Sequence, residues 1–172
     1  MQPFVTIISH CPRAWPLGTL GLSLALAYGN ARPDSNVHYE GGFQFKKHYF
    51  GLRPGELSEF RPSGGWTEEF QCAQFIDGLP EVKFWLRNLA CKATSFRLQT
   101  STDWFYPDFI CELTDGRVLA VEYKGKDRYD SVDSEEKRAI GAVWASRSNG
   151  RCLFIMPTEG DFSVITSAVK PL

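Results

Sequence analysis

Residues 106–124 read YPDFICELTDGRVLAVEYK, and this stretch decides the fold. Two runs rich in aromatic and branched residues, 106–113 and 117–124, flank Thr114-Asp115-Gly116 and read as antiparallel strands joined by a tight turn. If 114–116 is a three-residue loop with Gly116 left-handed, residues whose numbers sum to 230 face one another. Asp108 then lies opposite Glu122. A two-residue loop would make the sum 231 and turn Asp108 to the other face.

Working outward, 66–77 (WTEEFQCAQFID) brings Trp66, Phe70, Ala73, Phe75 and Ile76 close to one helical face, and Gly78-Leu79-Pro80 ends the helix. The run 82–89 (VKFWLRNL) suits either a strand or a helix; its aromatic and branched residues favour a short strand. With 95–100 added, 106–113 and 117–124 are expected to form an antiparallel meander. A helix is expected over 134–148, with Ser134 as N-cap, Glu135 and Glu136 in the first turn, Ile140, Val143 and Trp144 on one face, and Gly150 just past its end. The run 151–156 (RCLFIM) is a short buried strand closed by Pro157. The expected order is helix, three or four strands, helix, strand.

A chain of 172 residues, 43% hydrophobic, is the size of one domain and needs no covalent staples for its core. Its net charge of −1 gives no overall basic field, so a nucleic-acid partner would have to be met by a local patch. Five cysteines lack any Cys-x-x-Cys pair and the three histidines fall in the first third, which argues against zinc. Apolar neighbours mark Cys72, Cys111 and Cys152 as buried reduced thiols, and all five cysteines are read as structural in a cytoplasmic protein. Residues 1–42 hold four prolines and no sustained period, so they are a leader separate from 43–172. Within that leader, 17–28 (LGTLGLSLALAY) resembles a secretory signal but is too short to span a bilayer; a short buried helix or an irregular leader is preferred to export, and no membrane partner is expected. The stretch 51–65, with two Arg-Pro pairs and four glycines, reads as a loop.

The chemistry resides on the 106–124 hairpin. Residues opposed across a ladder share a face with Cβ atoms about 4.5–5.5 Å apart, and carboxylates that close repel unless a cation neutralises them. Lys124, two residues beyond Glu122, falls on the same face by the strand's period of two. Mg²⁺ takes oxygen ligands and keeps several waters, so Asp108, Glu122 and phosphate oxygens would make a reasonable shell. Lys124 could orient or deprotonate the attacking water and offset phosphate charge. Taken separately, Glu-x-Lys is commonly a surface ion pair and Pro-Asp a turn; their joint occurrence on consecutive strands carries the functional reading.

These residues resemble the PD-(D/E)xK nuclease domain at the C-terminal end of type III restriction enzyme Res subunits and related helicase-linked proteins. The resemblance lies in FKKHYF (45–50), EEFQCAQFIDGLPEVKFWLRNL (68–89), TSTDWFYPDFICELTDGRVLAVEYKG (100–125) and SEEKRAIGAVWASRSNGRCLFIMP (134–157). It implies a restriction-endonuclease-like core: an α/β (α+β) fold with a mixed β-sheet flanked by helices, in the order α-β-β-β-α-β. It further implies Mg²⁺-dependent hydrolysis of DNA phosphodiester bonds, Mn²⁺ substituting, with Asp108 and Glu122 as metal ligands and Lys124 as the catalytic lysine. A first-helix acid is usual in such enzymes; Glu68 and Glu69 are the candidates and Glu69 is preferred. Lys137 and Arg138 could meet a phosphate, although a solvated charged face is the commoner use of such a pair.

Two departures bear on partners. The chain holds no Gly-x-x-x-x-Gly-Lys-Ser/Thr phosphate loop, so these residues carry no ATP-driven translocase of the kind that precedes the nuclease in Res subunits. The leader does not match either. The resemblance therefore implies a detached nuclease module that takes site recognition from a methyltransferase (Mod) subunit, a separate helicase or translocase, or both. The alternative is a catalytically silent DNA-binding or subunit-assembly module derived from such an enzyme.

Overall fold

The computed structural model describes residues 39, 41–51, 57, 60, 67–91 and 95–170. The apolar run 17–28, Trp66, Cys11, His10 and His38 lie outside the described residues. No helix among the described residues is long and apolar enough to cross a membrane.

The chain is mixed α/β, with a mixed four-stranded sheet flanked by helices. Helix α1 (Glu68–Gly78) opens on Thr67, whose hydroxyl accepts from the Phe70 N–H at 3.2 Å, with Glu68 and Glu69 in the first turn where the helix dipole favours anions. Strand β1 (Val82–Arg87) follows, then β4 (Phe109–Leu113) and β5 (Val118–Val121). After a short helix, α2 (Lys126–Tyr129), come α3 (Val132–Ser146), β6 (Cys152–Ile155) and α4 (Ser163–Val169). The sheet order is β1-β4-β5-β6, antiparallel except for the β5–β6 pair. Helix α3 therefore serves as the crossover that a parallel pair requires.

Phe109 pairs with Val121 and Cys111 with Leu119, so the sum is 230 and the loop has three residues. Gly116 takes φ +86°, and its N–H donates to the Leu113 carbonyl at 3.0 Å. An added Cβ at Gly116 would meet nothing within 4 Å, so substitution there costs only backbone strain. Gly116→Val is expected to destabilise the fold by roughly 1–3 kcal/mol, a branched residue being poorly tolerated at positive φ. Urea denaturation measures this, and an unchanged midpoint would contradict the loop.

The meander expected from 95–100, 106–113 and 117–124 needs correction. Leu98–Gln99 (β2) leaves the main sheet and pairs with Trp104–Phe105 (β3) in a separate ribbon, while β1 takes the place beside β4. Alternation and composition mark a strand but not its neighbour, and β2 has only two paired residues. The second large helix also starts earlier than expected. Ser131 is the N-cap, accepting from the Ser134 N–H at 3.2 Å, whereas Ser134 is buried and donates its hydroxyl to the Arg128 carbonyl at 2.7 Å. Val143, placed on the buried face by periodicity, is exposed; Ile140 and Trp144 are buried.

Each face of the sheet has its own core. Trp85, Phe109, Cys111, Leu119, Val121 and Tyr123 pack with Phe70, Cys72, Ala73 and Ile76 of α1 and with Ile165 and Val169 of α4. On the other side Leu86, Ile110, Val118 and Ala120 join Ile140 and Trp144 of α3 and Leu98 and Phe105 of the ribbon. Each such fully buried large side chain contributes roughly 1.5–3 kcal/mol of hydrophobic free energy. Gly141 lets α3 come down on β6: a Cβ there would lie 2.2 Å from the Phe154 ring. The cysteines largely agree with expectation, since Cys72, Cys111 and Cys152 are buried; Cys91 is exposed.

The edge of β1 is covered by the segment around His48, which bridges in parallel to Trp85. Trp85 N–H donates to the Lys47 carbonyl at 3.0 Å and Tyr49 N–H to the Trp85 carbonyl at 2.8 Å. Buried Asp77, at the end of α1, fastens this segment: its carboxylate accepts from Lys46 N–H at 2.9 Å, Lys47 N–H at 2.8 Å and Trp85 Nε1 at 2.8 Å. A buried carboxylate is tolerated here because its lone pairs are satisfied by N–H donors. Of the expected loop 51–65, Gly51, Leu57 and Phe60 are among the described residues, and Leu57 and Phe60 are buried.

Candidate active site

Asp108 immediately precedes β4 and Glu122 immediately follows β5, so the register that pairs Phe109 with Val121 sets these two acids opposite one another. The Asp108 carbonyl accepts from Asn88 N–H at 2.8 Å, and Asn88 Nδ2 donates to the Pro107 carbonyl at 2.7 Å, which fixes the Pro-Asp entry to the strand. On the other strand Glu122 N–H donates to the Ile155 carbonyl at 3.0 Å and Lys124 N–H to the Pro157 carbonyl at 3.1 Å. The parallel pairing thus continues beyond β5 and holds Glu122 and Lys124 on one side. Tyr123, between them, points into the opposite core.

The carboxylates differ sharply in environment. Asp108 is pinned at both oxygens: Oδ1 accepts from Arg87 Nη1 at 2.8 Å and Oδ2 from Tyr123 N–H at 2.7 Å. Glu122 is 4% exposed. Its Oε1 pairs with Lys124 Nζ at 2.7 Å, but Oε2 is buried with no hydrogen-bond partner among the described residues. Burial, reinforced by the Asp108 charge, pushes the Glu122 carboxyl up to about 7; Lys124, and more weakly Lys137, oppose that rise. A buried acid beside a second acid, with one oxygen unsatisfied, is a site that gains from a cation.

No protein-family model, curated protein or solved structure matches the chain.

Among the described residues, no three His, Cys, Asp or Glu side chains gather into a metal cage. Mg²⁺ does not need one, since it is commonly held by one or two carboxylates, waters and substrate phosphates. The hard oxygen donors of Asp108 and Glu122, and the unpartnered Glu122 Oε2 above all, fit that ion.

The two first-helix acids make different contacts. Glu69 Oε2 accepts from Arg87 Nη2 at 3.2 Å, on the guanidinium that also holds Asp108. Glu68 instead lies by the Tyr123 side chain, whose pKa burial raises, the Gly160 N–H lowers and the Glu68 charge raises again. Lys137 on α3 pairs with Asp133 at 2.6 Å, lies 5.5 Å from the Phe105 ring centroid and feels the Glu122 charge. Arg138 donates from Nη1 to the Tyr129 carbonyl at 2.5 Å and stacks over the Tyr129 ring, fastening α2 to α3.

Arg87 and Asn88 were not anticipated from the sequence. The available signal was a guanidinium closing a strand whose other charged residue is Lys83, at the position where period two points it with Trp85 toward α1. Cys72, also beneath the site, is unsuited to nucleophilic work: burial and then the Asp108 charge push its thiol well above the ordinary range.

Proposed function

We propose that this chain is a Mg²⁺-dependent DNA endonuclease with a restriction-endonuclease-like core of the PD-(D/E)xK type, similar to the nuclease domain of type III restriction enzyme Res subunits. The observation that carries the reading is the buried, half-unpartnered Glu122 carboxyl, set opposite Asp108 and paired with Lys124 at 2.7 Å. The sheet order β1-β4-β5-β6, with a helix before it and a crossover helix before the parallel strand, supports the same fold reading.

In this reading Asp108 and Glu122 hold the ion, which when bound supplies a Lewis acid that withdraws charge from the scissile phosphate. Asp108 offers its remaining lone pairs from a fixed rotamer, and Glu122 offers Oε2. Lys124 spends one N–H on Glu122 Oε1 and has two further donors with which to orient the attacking water or a phosphate oxygen. Water adds to phosphorus as the bond to the leaving oxygen breaks. Sequence recognition would come from a partner such as a methyltransferase subunit or a separate translocase.

The catalytically silent DNA-binding or assembly module is favoured by one observation: Arg87 and the Tyr123 N–H already engage both Asp108 oxygens. Supercoiled-plasmid cleavage separates the two readings. Wild type is expected to nick with Mg²⁺ or Mn²⁺, to stop with chelator, and to lose activity in Asp108→Ala. A properly folded wild type that binds DNA and leaves the plasmid intact with either ion would support the silent module instead.

A further inference from the structure

We propose that Arg87 is a positioning residue for the metal-binding Asp108 carboxylate, and that Glu69 acts through Arg87 rather than on the ion. This rests on the reading of the site as a nuclease centre.

Arg87 ends β1 opposite Phe109 of β4. Its side chain is 14% exposed and its guanidinium lies 5.0 Å from the Phe109 ring centroid and 6.0 Å from that of Phe60, so its plane is held by aromatic packing. From that seat Nη1 reaches the Asp108 carbonyl at 3.0 Å and Oδ1 at 2.8 Å, while Nη2 reaches Glu69 Oε2 at 3.2 Å. One rigid fork thus joins α1, β1 and the entry to β4. Lysine, a point charge on a flexible stem, could not reproduce three directed contacts from a fixed plane.

A cation beside a metal site should weaken metal binding by simple repulsion. Glu69 removes most of that penalty: Asp108, Arg87 and Glu69 together carry the same net charge as Asp108 alone. What Arg87 adds is orientation, because with Oδ1 on the guanidinium and Oδ2 on the Tyr123 N–H, Asp108 cannot turn about its side-chain bonds. Each oxygen still has a lone pair for the ion. Groups that orient metal ligands in this way typically affect affinity by about 10–100-fold.

Charge and orientation predict opposite signs, which makes the proposal testable. Mn²⁺ affinity is measured by calorimetry on the full chain for wild type, Asp108→Ala, Arg87→Gln, Arg87→Lys and Glu69→Gln, with plasmid cleavage alongside and near-ultraviolet circular dichroism to verify folding. Arg87→Gln is expected to weaken Mn²⁺ binding by about 10–100-fold, and Arg87→Lys to weaken it too despite its retained charge. Glu69→Gln should weaken it less than Asp108→Ala, since its amide oxygen can still accept from Arg87. Tighter binding in Arg87→Gln, or wild-type affinity in Arg87→Lys, would overturn the positioning role while leaving the nuclease reading intact. A Glu69→Gln loss equal to that of Asp108→Ala would make Glu69 a ligand and overturn its half of the proposal. Should Arg87→Gln fail to fold, Arg87→Lys and Glu69→Gln decide. Wild type that neither binds Mn²⁺ nor cuts would overturn the nuclease reading itself, and this inference with it.

Discussion

Lys124→Ala is expected to lower plasmid cleavage by about 10²–10⁴-fold, the usual range for loss of a positioned proton-transfer group, with the fold retained. The fold should survive because what Lys124 gives the sheet is its backbone: the N–H to Pro157 and the parallel bridge to Thr158. The side chain contributes its contact with Glu122 Oε1 at 2.7 Å. Removing it has two consequences. The reaction loses a donor to water or phosphate, and Glu122 loses the neighbour that most strongly opposes its rise to about 7, so its carboxyl climbs further and holds a proton at neutral pH.

These consequences separate with pH. In wild type at Mg²⁺ well below saturation, cleavage should rise as pH passes through about 7 and Glu122 ionises. In Lys124→Ala that rise should move to higher pH, so part of the deficit closes on the alkaline side. A residual loss of about 10²-fold or more at alkaline pH would assign Lys124 a direct part in the chemistry. Complete recovery there would reduce Lys124 to keeping Glu122 ionised, and single-turnover nicking across neutral to alkaline pH distinguishes the two.

The hairpin carrying this chemistry was legible because its information is local. A Gly able to take positive φ fixes the loop length, the loop length fixes the register, and the register places Asp108 opposite Glu122. The same logic fails where the partner is distant. Arg87 meets Glu69 across 18 residues and Asp108 across 21, and no spacing rule connects them. Asp77 reads locally as a polar helix end, yet it is buried because segments 30 and 31 residues earlier bring it their N–H groups. The 95–100 run had strand composition but no signal for its neighbour. The N-cap expected at Ser134 falls three residues earlier, at Ser131, whose hydroxyl accepts from the Ser134 N–H. Local turn chemistry thus made the pair of acids readable, while the groups that hold them in place depend on tertiary contacts.

Glu122→Gln is expected to abolish cleavage and yet to stabilise the metal-free protein above neutral pH. In the fold the Glu122 carboxyl titrates near 7, against an ordinary value of 4.5. Between those two values the folded protein keeps a proton that the unfolded chain has released, so this group's contribution to stability is fully present below the lower value and lost as pH rises through the upper. A displacement of that size corresponds to about 3 kcal/mol, charged to the folded state once Glu122 is ionised. Gln mimics the neutral acid in shape and can still accept from Lys124, although its amide N–H would inherit the unpartnered position of Oε2. The net gain expected for Glu122→Gln on the alkaline side, with chelator, is therefore roughly 1–3 kcal/mol, shrinking toward zero at mildly acidic pH. Urea denaturation at the two pH values measures it. Saturating Mg²⁺ should reverse the order, because an ion that binds only the native state stabilises wild type and finds one of its two carboxylates missing in the variant. If Glu122→Gln is instead the less stable protein at alkaline pH without metal, Lys124 alone compensates the buried charge, and the site has no electrostatic demand for a cation.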